Sequence, residues 1–183
     1  MKKMLAILVA LMMVCGAVMA AAAEEPTAPT FTNGVQFGMD MDQVMERMKS
    51  FENLPAPEID TEVTRGNVVF AELEYEKVDG GDGLMADIKF KFAEKSLVAI
   101  HYDFADGTNY EAVKATLAGS FGEAVPFDAA QIGNGKYAID DDGDLKDCKE
   151  MIVRDDLIVV LEQDHEGDMD VTILDPTAAY IKN

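Results

Sequence analysis

The chain has 183 residues, 49% of them hydrophobic, and its 35 acidic side chains against 15 Lys and Arg give a formal net charge of −20. This hydrophobic share is too high for a disordered acidic segment, which lacks the apolar surface needed to fold. The negative charge argues against a nucleic-acid-binding protein, because such proteins meet phosphates with cationic side chains. We therefore expect one folded domain that binds neither DNA nor RNA.

The N-terminal residues have the pattern of a secretory signal. Lys2 and Lys3 precede an apolar run over residues 4–14, and small residues lead up to Ala20. This predicts a signal peptide over residues 1–20, cleaved after a residue from Ala20 to Ala23. The run is too short to cross a membrane comfortably, and no later segment offers a membrane span. We expect an exported chain, in the extracellular or cell-envelope space, with a flexible tether over residues 21–31.

The two cysteines bear on lipid anchoring and disulfides. Cys15 could be a lipid-anchor cysteine, but Val14 and Met12 stand where that motif has a small residue and a Leu-like residue. The sequence thus favours free secretion, with envelope tethering as the alternative. Without the signal peptide Cys148 is the remaining cysteine, so no internal disulfide is expected. We predict Cys148 to be a half-buried strand residue.

The first elements of the mature chain are a helix and a hairpin. Residues 40–51 place apolar side chains at helical spacing, and Asp40 with Gln43 forms a capping-box pair. Beyond a Pro-interrupted loop at 54–59, residues 69–76 and 84–92 alternate between apolar and charged side chains, as in half-buried strands. One register satisfies both faces of this hairpin. It pairs Leu73 with Phe90, Glu74 with Lys89 and Glu72 with Lys91.

The next elements are a third strand and a second helix. Val98, Ile100, Tyr102 and Phe104 are expected to face the core from the third strand, which completes a meander. A second helix should begin at a capping box of Thr108 with Glu111, and should end at Gly122.

The last third is rich in strands, predicted at residues 136–139, 148–153, 157–161 and 169–174. The run 157–161 is apolar throughout, which is typical of a central strand buried on both faces. The fold class predicted is α+β, with an antiparallel sheet, helices on one face, and the element order αβββ-αβββ. We expect a single domain over residues 32–183, divisible into αβββ halves at 33–105 and 106–176.

Part of the chain resembles a known type of exported domain. The residues concerned are Gly34-Val-Gln-Phe-Gly-Met-Asp-Met-Asp-Gln-Val44, the Tyr75 strand with its Gly-rich turn, Ile88-Lys-Phe-Lys-Phe92, Leu97-Val-Ala-Ile100 and the turn Phe121-Gly-Glu-Ala-Val-Pro126. Over residues 33–126 the chain resembles SmpA/OmlA (BamE-like) domains, which share an outline with β-lactamase-inhibitor-like tandem modules. The resemblance implies a non-enzymatic, protein-contacting module of the envelope or exterior, and it carries over no catalytic or ligand residue.

The sequence offers no recognisable reaction centre. His101 is predicted on the solvent face of the third strand and His165 in a loop, and no Gly-x-Ser-x-Gly motif occurs. A hydrolytic triad needs a nucleophile, a histidine and an acid that converge, and nothing in the sequence brings such groups together. We therefore predict no catalytic residues and no enzyme. The methionines at 41, 45 and 48 are interpreted as a core-facing helical stripe and not as copper or heme ligands.

An acidic loop is the candidate metal site. Calcium binds six to eight oxygens, and several could come from Asp140, Asp142, Asp144 and Asp147, helped by Asp164, Glu166 and Asp168. An EF-hand is excluded, because Lys149 stands where its bidentate Glu belongs. The alternative is an ordinary solvated turn. The Gly-rich hairpin loop at 79–83 is a weaker calcium candidate, and no other cofactor is expected.

The charge gives the main functional expectation. A strongly anionic protein is attracted to cationic surfaces, so we predict a secreted binding domain whose partner is a basic protein or peptide. Acidity that serves only solubility explains the charge equally well. The further alternatives are an envelope-tethered assembly or lipoprotein-like factor and a weak calcium-binding structural domain.

Overall fold

The computed structural model describes residues 31, 34–51, 54–65, 68–79 and 85–178. The predicted signal peptide, the tether up to residue 30 and the hairpin loop beyond residue 79 lie outside the described residues. Phe31 is buried against the core.

The described residues form three α-helices and eight strands. In chain order they are α1 (Met41–Met48), β1 (Glu58–Arg65), β2 (Val68–Asp79), β3 (Met85–Ala93), β4 (Ser96–Phe104), α2 (Tyr110–Phe121), β5 (Val125–Pro126), two 3-10 turns (Ala129–Gln131 and Gly133–Gly135), α3 (Lys136–Ile139), β6 (Cys148–Val153), β7 (Ile158–Gln163) and β8 (Met169–Leu174). None of the helices in this part of the chain has the length and apolarity required to cross a bilayer.

All eight strands belong to one antiparallel sheet, in the order β1-β2-β3-β4-β8-β7-β6-β5. Strands β1 to β4 form one meander and β5 to β8 form another. The two meanders meet side by side through their last strands, β4 and β8.

The antiparallel α+β class is confirmed, but the predicted element order is wrong. Each half of the sheet has four strands, and α3 lies between β5 and β6. Strand β1 was not predicted, since the prolines before it suggested a loop. Residues 136–139, predicted as a strand, form the helix α3, because four residues are too few for periodicity to separate a strand from a helix.

The predicted register of the first hairpin is confirmed. Leu73 pairs with Phe90, Glu74 with Lys89 and Glu72 with Lys91. An irregularity between Lys91 and Phe92 shifts the β3–β4 register. As a result Val98 packs on the opposite side of the sheet from Ile100, although the alternation placed both on one face.

The helix ends follow capping chemistry. At α1 the backbone N–H of Gln43 donates to Asp40 Oδ1 at 2.8 Å, and Gln43 Oε1 accepts from the Asp40 N–H at 3.0 Å, which confirms the capping box. The N-cap of α2 is Asn109 and not Thr108, whose hydroxyl donates to the carbonyl of Ala105. Helix α2 ends before Gly122, which adopts φ 115°, a conformation open to glycine.

Both faces of the sheet are covered, so the prediction of helices on one face is wrong. Helices α1 and α2 pack on the first face through Val44, Met48, Val113 and Leu117. Residues 127–147, which we call the covering segment, pack on the second face. Their buried side chains include Ile132, Ala138 and Ile139. Strand β7 lies between β8 and β6 and is buried from residue 158 to 162, which confirms its prediction as a central strand.

Candidate functional site

A row of carboxyl groups crosses the second face of the sheet. Asp87 on β3 pairs with Asp103 on β4, which pairs with Asp170 on β8, which pairs with Glu162 on β7. Residues directly opposite each other on antiparallel strands have neighbouring side chains on the same face. These four residues, which we call the carboxyl row, therefore stand side by side across four adjacent strands. Cys148 on β6 pairs with Glu162 and extends the row.

The exposure of the row falls from Asp103 to Glu162. Asp103 is exposed, Asp170 is half-buried, and Glu162 is only 7% exposed. Asp170 and Asp103 lie directly opposite each other on β8 and β4, so that a protonated carboxyl of one can donate a hydrogen bond to the other. Glu162 is within 3.5 Å of the donating Thr172 hydroxyl and 3.8 Å of the Cys148 thiol. Both distances are long for hydrogen bonds, so these neutral groups stabilise a charge on Glu162 poorly.

Burial and mutual repulsion change the protonation of this row. Burial, with the charge of neighbouring Asp170, raises the pKa of Glu162 to about 8. Burial, with the charge of Asp103, raises the pKa of Asp170 to about 7. Ionisation of both of two neighbouring carboxyls is unfavourable, because their negative charges repel each other. Glu162 is therefore mostly protonated at neutral pH, and Asp170 is partly protonated there.

His101 lies beside the row without titrating near neutral pH. Its Nδ1 is 2.9 Å from the hydroxyl of Thr172, the residue opposite it on β8. Burial and the charge of Lys91 lower the pKa of His101 to about 3, so the ring is neutral. The prediction placed this histidine on the solvent face, but here it is half-buried.

The covering segment is held to the second face by a buried cation. The Lys91 ammonium, on a residue 2% exposed, donates to Asp141 Oδ1 at 3.1 Å. Buried ammonium groups need such a partner. This ion pair joins the turn after α3 to strand β3.

The loop between β7 and β8 extends the acidic surface. Asp164, Glu166 and Asp168 each bring one carboxylate oxygen within 4.8 Å of the others, and the charges of Asp164 and Asp168 act on Asp170. Asp164 Oδ1 accepts the backbone N–H groups of residues 166, 167 and 168. These bonds close the loop through the Asp164 carboxylate itself. The loop and the carboxyl row together form what we call the acidic patch.

The four aspartates predicted for calcium do not form a comparable group among the described residues. Asp140 Oδ1 accepts the backbone N–H groups of Asp142 and Asp144. Asp144 is ion-paired with Lys146 at 3.1 Å. Asp142 is exposed, and Asp147 contributes its backbone carbonyl to the N–H of residue 163. Calcium binding at this loop stays a prediction. Without an ion, the Asp140 carboxylate stabilises the turn through these two hydrogen bonds.

A small cavity lies on the first face of the sheet, away from the acidic patch. Phe31, Met48, Ile100 and Tyr102 are among the side chains that line it, and it presents no polar surface. An active site usually combines a cavity with convergent polar groups. This cavity has no such groups, so it marks imperfect packing under α1.

Sequence reasoning missed the carboxyl row. The alternation of charged residues in β3 and β4 already contains Asp87 and Asp103, but Asp170 and Glu162 join them only through the pairing of β4 with β8. Comparison of the chain with protein-family models, curated proteins and solved structures finds no significant match. The resemblance to SmpA/OmlA and β-lactamase-inhibitor-like domains stays a prediction.

Proposed function

We propose that the protein is an exported, non-catalytic binding domain that engages a basic protein or peptide through its acidic patch. The observation that supports this best is the carboxyl row, in which acidic residues stand directly opposite one another on four neighbouring strands. Carboxylates that are ionised in such positions destabilise a sheet. A cationic partner would remove that cost, because its charges would lie against the ionised carboxylates.

The cations near the row do not balance its negative charge. Lys89 acts on Asp103, but it is also 3.7 Å from Glu74 and is shared between them. His101 is neutral, and Lys91 is paired with Asp141. In the loop, His165 lies 3.7 Å from Glu166 and 3.9 Å from Asp164, and it is the one basic side chain among the acidic groups of residues 164–168. The exposed carboxylates of this patch therefore outnumber the cations beside them. Charge of this kind speeds the approach of a cationic partner and selects against anionic ones.

The test is binding to a labelled deca-lysine peptide, followed by fluorescence anisotropy at several salt concentrations. The double variant Glu166→Gln/Asp168→Asn removes two exposed charges from the patch. Its matched control, Glu123→Gln/Asp155→Asn, removes two exposed charges elsewhere. We expect the patch variant to bind at least about fivefold more weakly than the control, and salt to weaken all binding.

Two outcomes would count against the proposal. Equal losses in both variants would mean that the net charge alone attracts the peptide, as the solubility explanation implies. Capture that does not change between low and high salt would show that ionic contacts are not responsible. Deca-glutamate is the negative control, since it should not bind.

The proposed binding role leaves two alternatives, which concern how the exported chain is anchored and whether it binds calcium. The acidic binding role does not depend on whether the mature chain is free or lipid-anchored, so an envelope-tethered assembly factor is the second form of the same hypothesis. A calcium-binding structural role is the other alternative.

A further inference from the structure

The sheet is continuous, but its two halves join along one pair of strands. Within the described residues, β4 pairs with β8 over six residue pairs, from Ala99–Leu174 to Phe104–Met169. Most of these pairs are apolar or neutral. The exception is Asp103 opposite Asp170, one pair from the end of the join.

The groups around this pair are mostly acidic. From β3, Asp87 lies opposite Asp103, and Lys89 acts on it. From β7, Glu162 lies opposite Asp170, with the Cys148 thiol of β6 beyond it. The β7–β8 loop adds Asp164, Glu166 and Asp168, and the covering segment adds Asp140, whose charge acts on Glu162. The neutral neighbours His101 and Thr172 complete the surroundings.

We propose that the stability of the β4–β8 join depends on protonation. The two strands stay paired while Asp103 and Asp170 share a proton and Glu162 keeps its own, and they separate more readily once those protons leave. The geometry behind this is the cross-strand register. When the protons are present, one carboxyl donates to its neighbour across the join. When they are absent, three adjacent strands carry ionised groups directly opposite each other, and the repulsion acts along the line where the halves meet.

The direction of the pH effect follows from the raised pKa values. The pKa of Asp170 is raised from 3.8 to about 7, and that of Glu162 from 4.5 to about 8. Between the ordinary and the raised values the folded protein binds more protons than the unfolded chain. The free energy of unfolding contributed by these groups is therefore full below about pH 4 and is lost as pH rises through 7 to 8. This is the reverse of ordinary carboxylates, which favour the folded state when ionised.

The experiment compares thermal midpoints between pH 5 and pH 9 for the full chain and three variants. Glu162→Gln/Asp170→Asn replaces the two proton-holding carboxyls by neutral amides. Asp103→Asn, at an exposed position, removes the like-charged neighbour of Asp170 with little risk to folding. Glu123→Gln/Asp155→Asn is the control, because it removes the same number of carboxyl groups as the first variant, away from the join.

We expect the thermal midpoints of the wild type and of the control to decrease as pH rises from 6 to 9. The midpoint of the Glu162→Gln/Asp170→Asn variant should decrease by less than half as much, and that of Asp103→Asn by an intermediate amount. Amide hydrogen exchange, corrected for its intrinsic pH dependence, should show β4 and β8 losing at least about tenfold more protection than β2 between pH 6 and pH 9, because the titration of Asp170 alone, with its pKa raised to about 7, accounts for about that factor. An equal fall in all four proteins would overturn the proposal. So would uniform loss of protection across the sheet. If the double variant does not fold, Asp103→Asn and the exchange pattern still decide the matter.

Discussion

The ion pair between Lys91 and Asp141 predicts how much one contact of the covering segment contributes to the free energy of unfolding. Asp141→Asn removes one charge and keeps the shape of the side chain. The Lys91 side chain is 3% exposed, whereas that of Asp141 is 49% exposed. The variant therefore leaves a buried ammonium without its anionic partner, while the position that changes is partly hydrated.

The free energy of unfolding that Asp141→Asn is expected to lose lies between two known limits. Removing one member of a fully buried ion pair costs about 3–5 kcal/mol, and an exposed pair contributes roughly 0–1 kcal/mol. Because Asp141 is half-exposed, and because the Asn carbonyl can still accept a hydrogen bond from the ammonium, we expect a loss of about 1–3 kcal/mol. For a chain of this size that lowers the thermal midpoint by roughly 3–10 °C.

The assay is denaturant unfolding at pH 7, with Asp142→Asn as the matched control. Asp142 is the next residue, is exposed and loses the same charge. A double-mutant cycle with Lys91→Met then measures the coupling of Lys91 with Asp141. If Asp141→Asn and Asp142→Asn differed by less than about 0.5 kcal/mol, the pair would be behaving as an ordinary surface contact and the reasoning would be refuted.

Two further predictions concern calcium and the N-terminus. If the protein acts through its charge alone, millimolar calcium should leave the thermal midpoint unchanged within about 1 °C. A midpoint that rises with calcium concentration would mean that the folded protein binds the ion and would favour the calcium-binding alternative. Mass spectrometry of the exported chain should give a product that begins between Ala21 and Glu24 without added lipid, and a mass that corresponds to an acylated Cys15 would place the protein on a membrane.

Local features of the fold could be predicted from the sequence. The first hairpin was predicted in the correct register because charged pairs and apolar pairs both require it. The capping box at α1 and the glycine after α2 were also predicted, since each depends on residues within one helical turn. The N-cap of α2 was placed one residue early, as Thr108 and Asn109 are both capping residue types.

Features that depend on distant parts of the chain could not be predicted in this way. The covering segment has few buried apolar residues, among them Ile132 and Ile139, and its short turns have no clear periodicity. Its presence on the second face is what buries Lys91, a residue that alternation assigns to solvent. The carboxyl row likewise depends on the pairing of β4 with β8, which no local pattern specifies.

The order of the strands has a consequence for how the chain reaches its native state. Each meander pairs strands that are neighbours along the backbone, so most of its contacts close short loops. The seam at β4 and β8 instead unites strands separated in the chain by α2 and by every element from β5 to β7, so it closes a long loop and forms after the local pairings. We therefore expect substitutions at Ile100 or Ile173, which pair across this seam, to accelerate unfolding far more than they slow refolding.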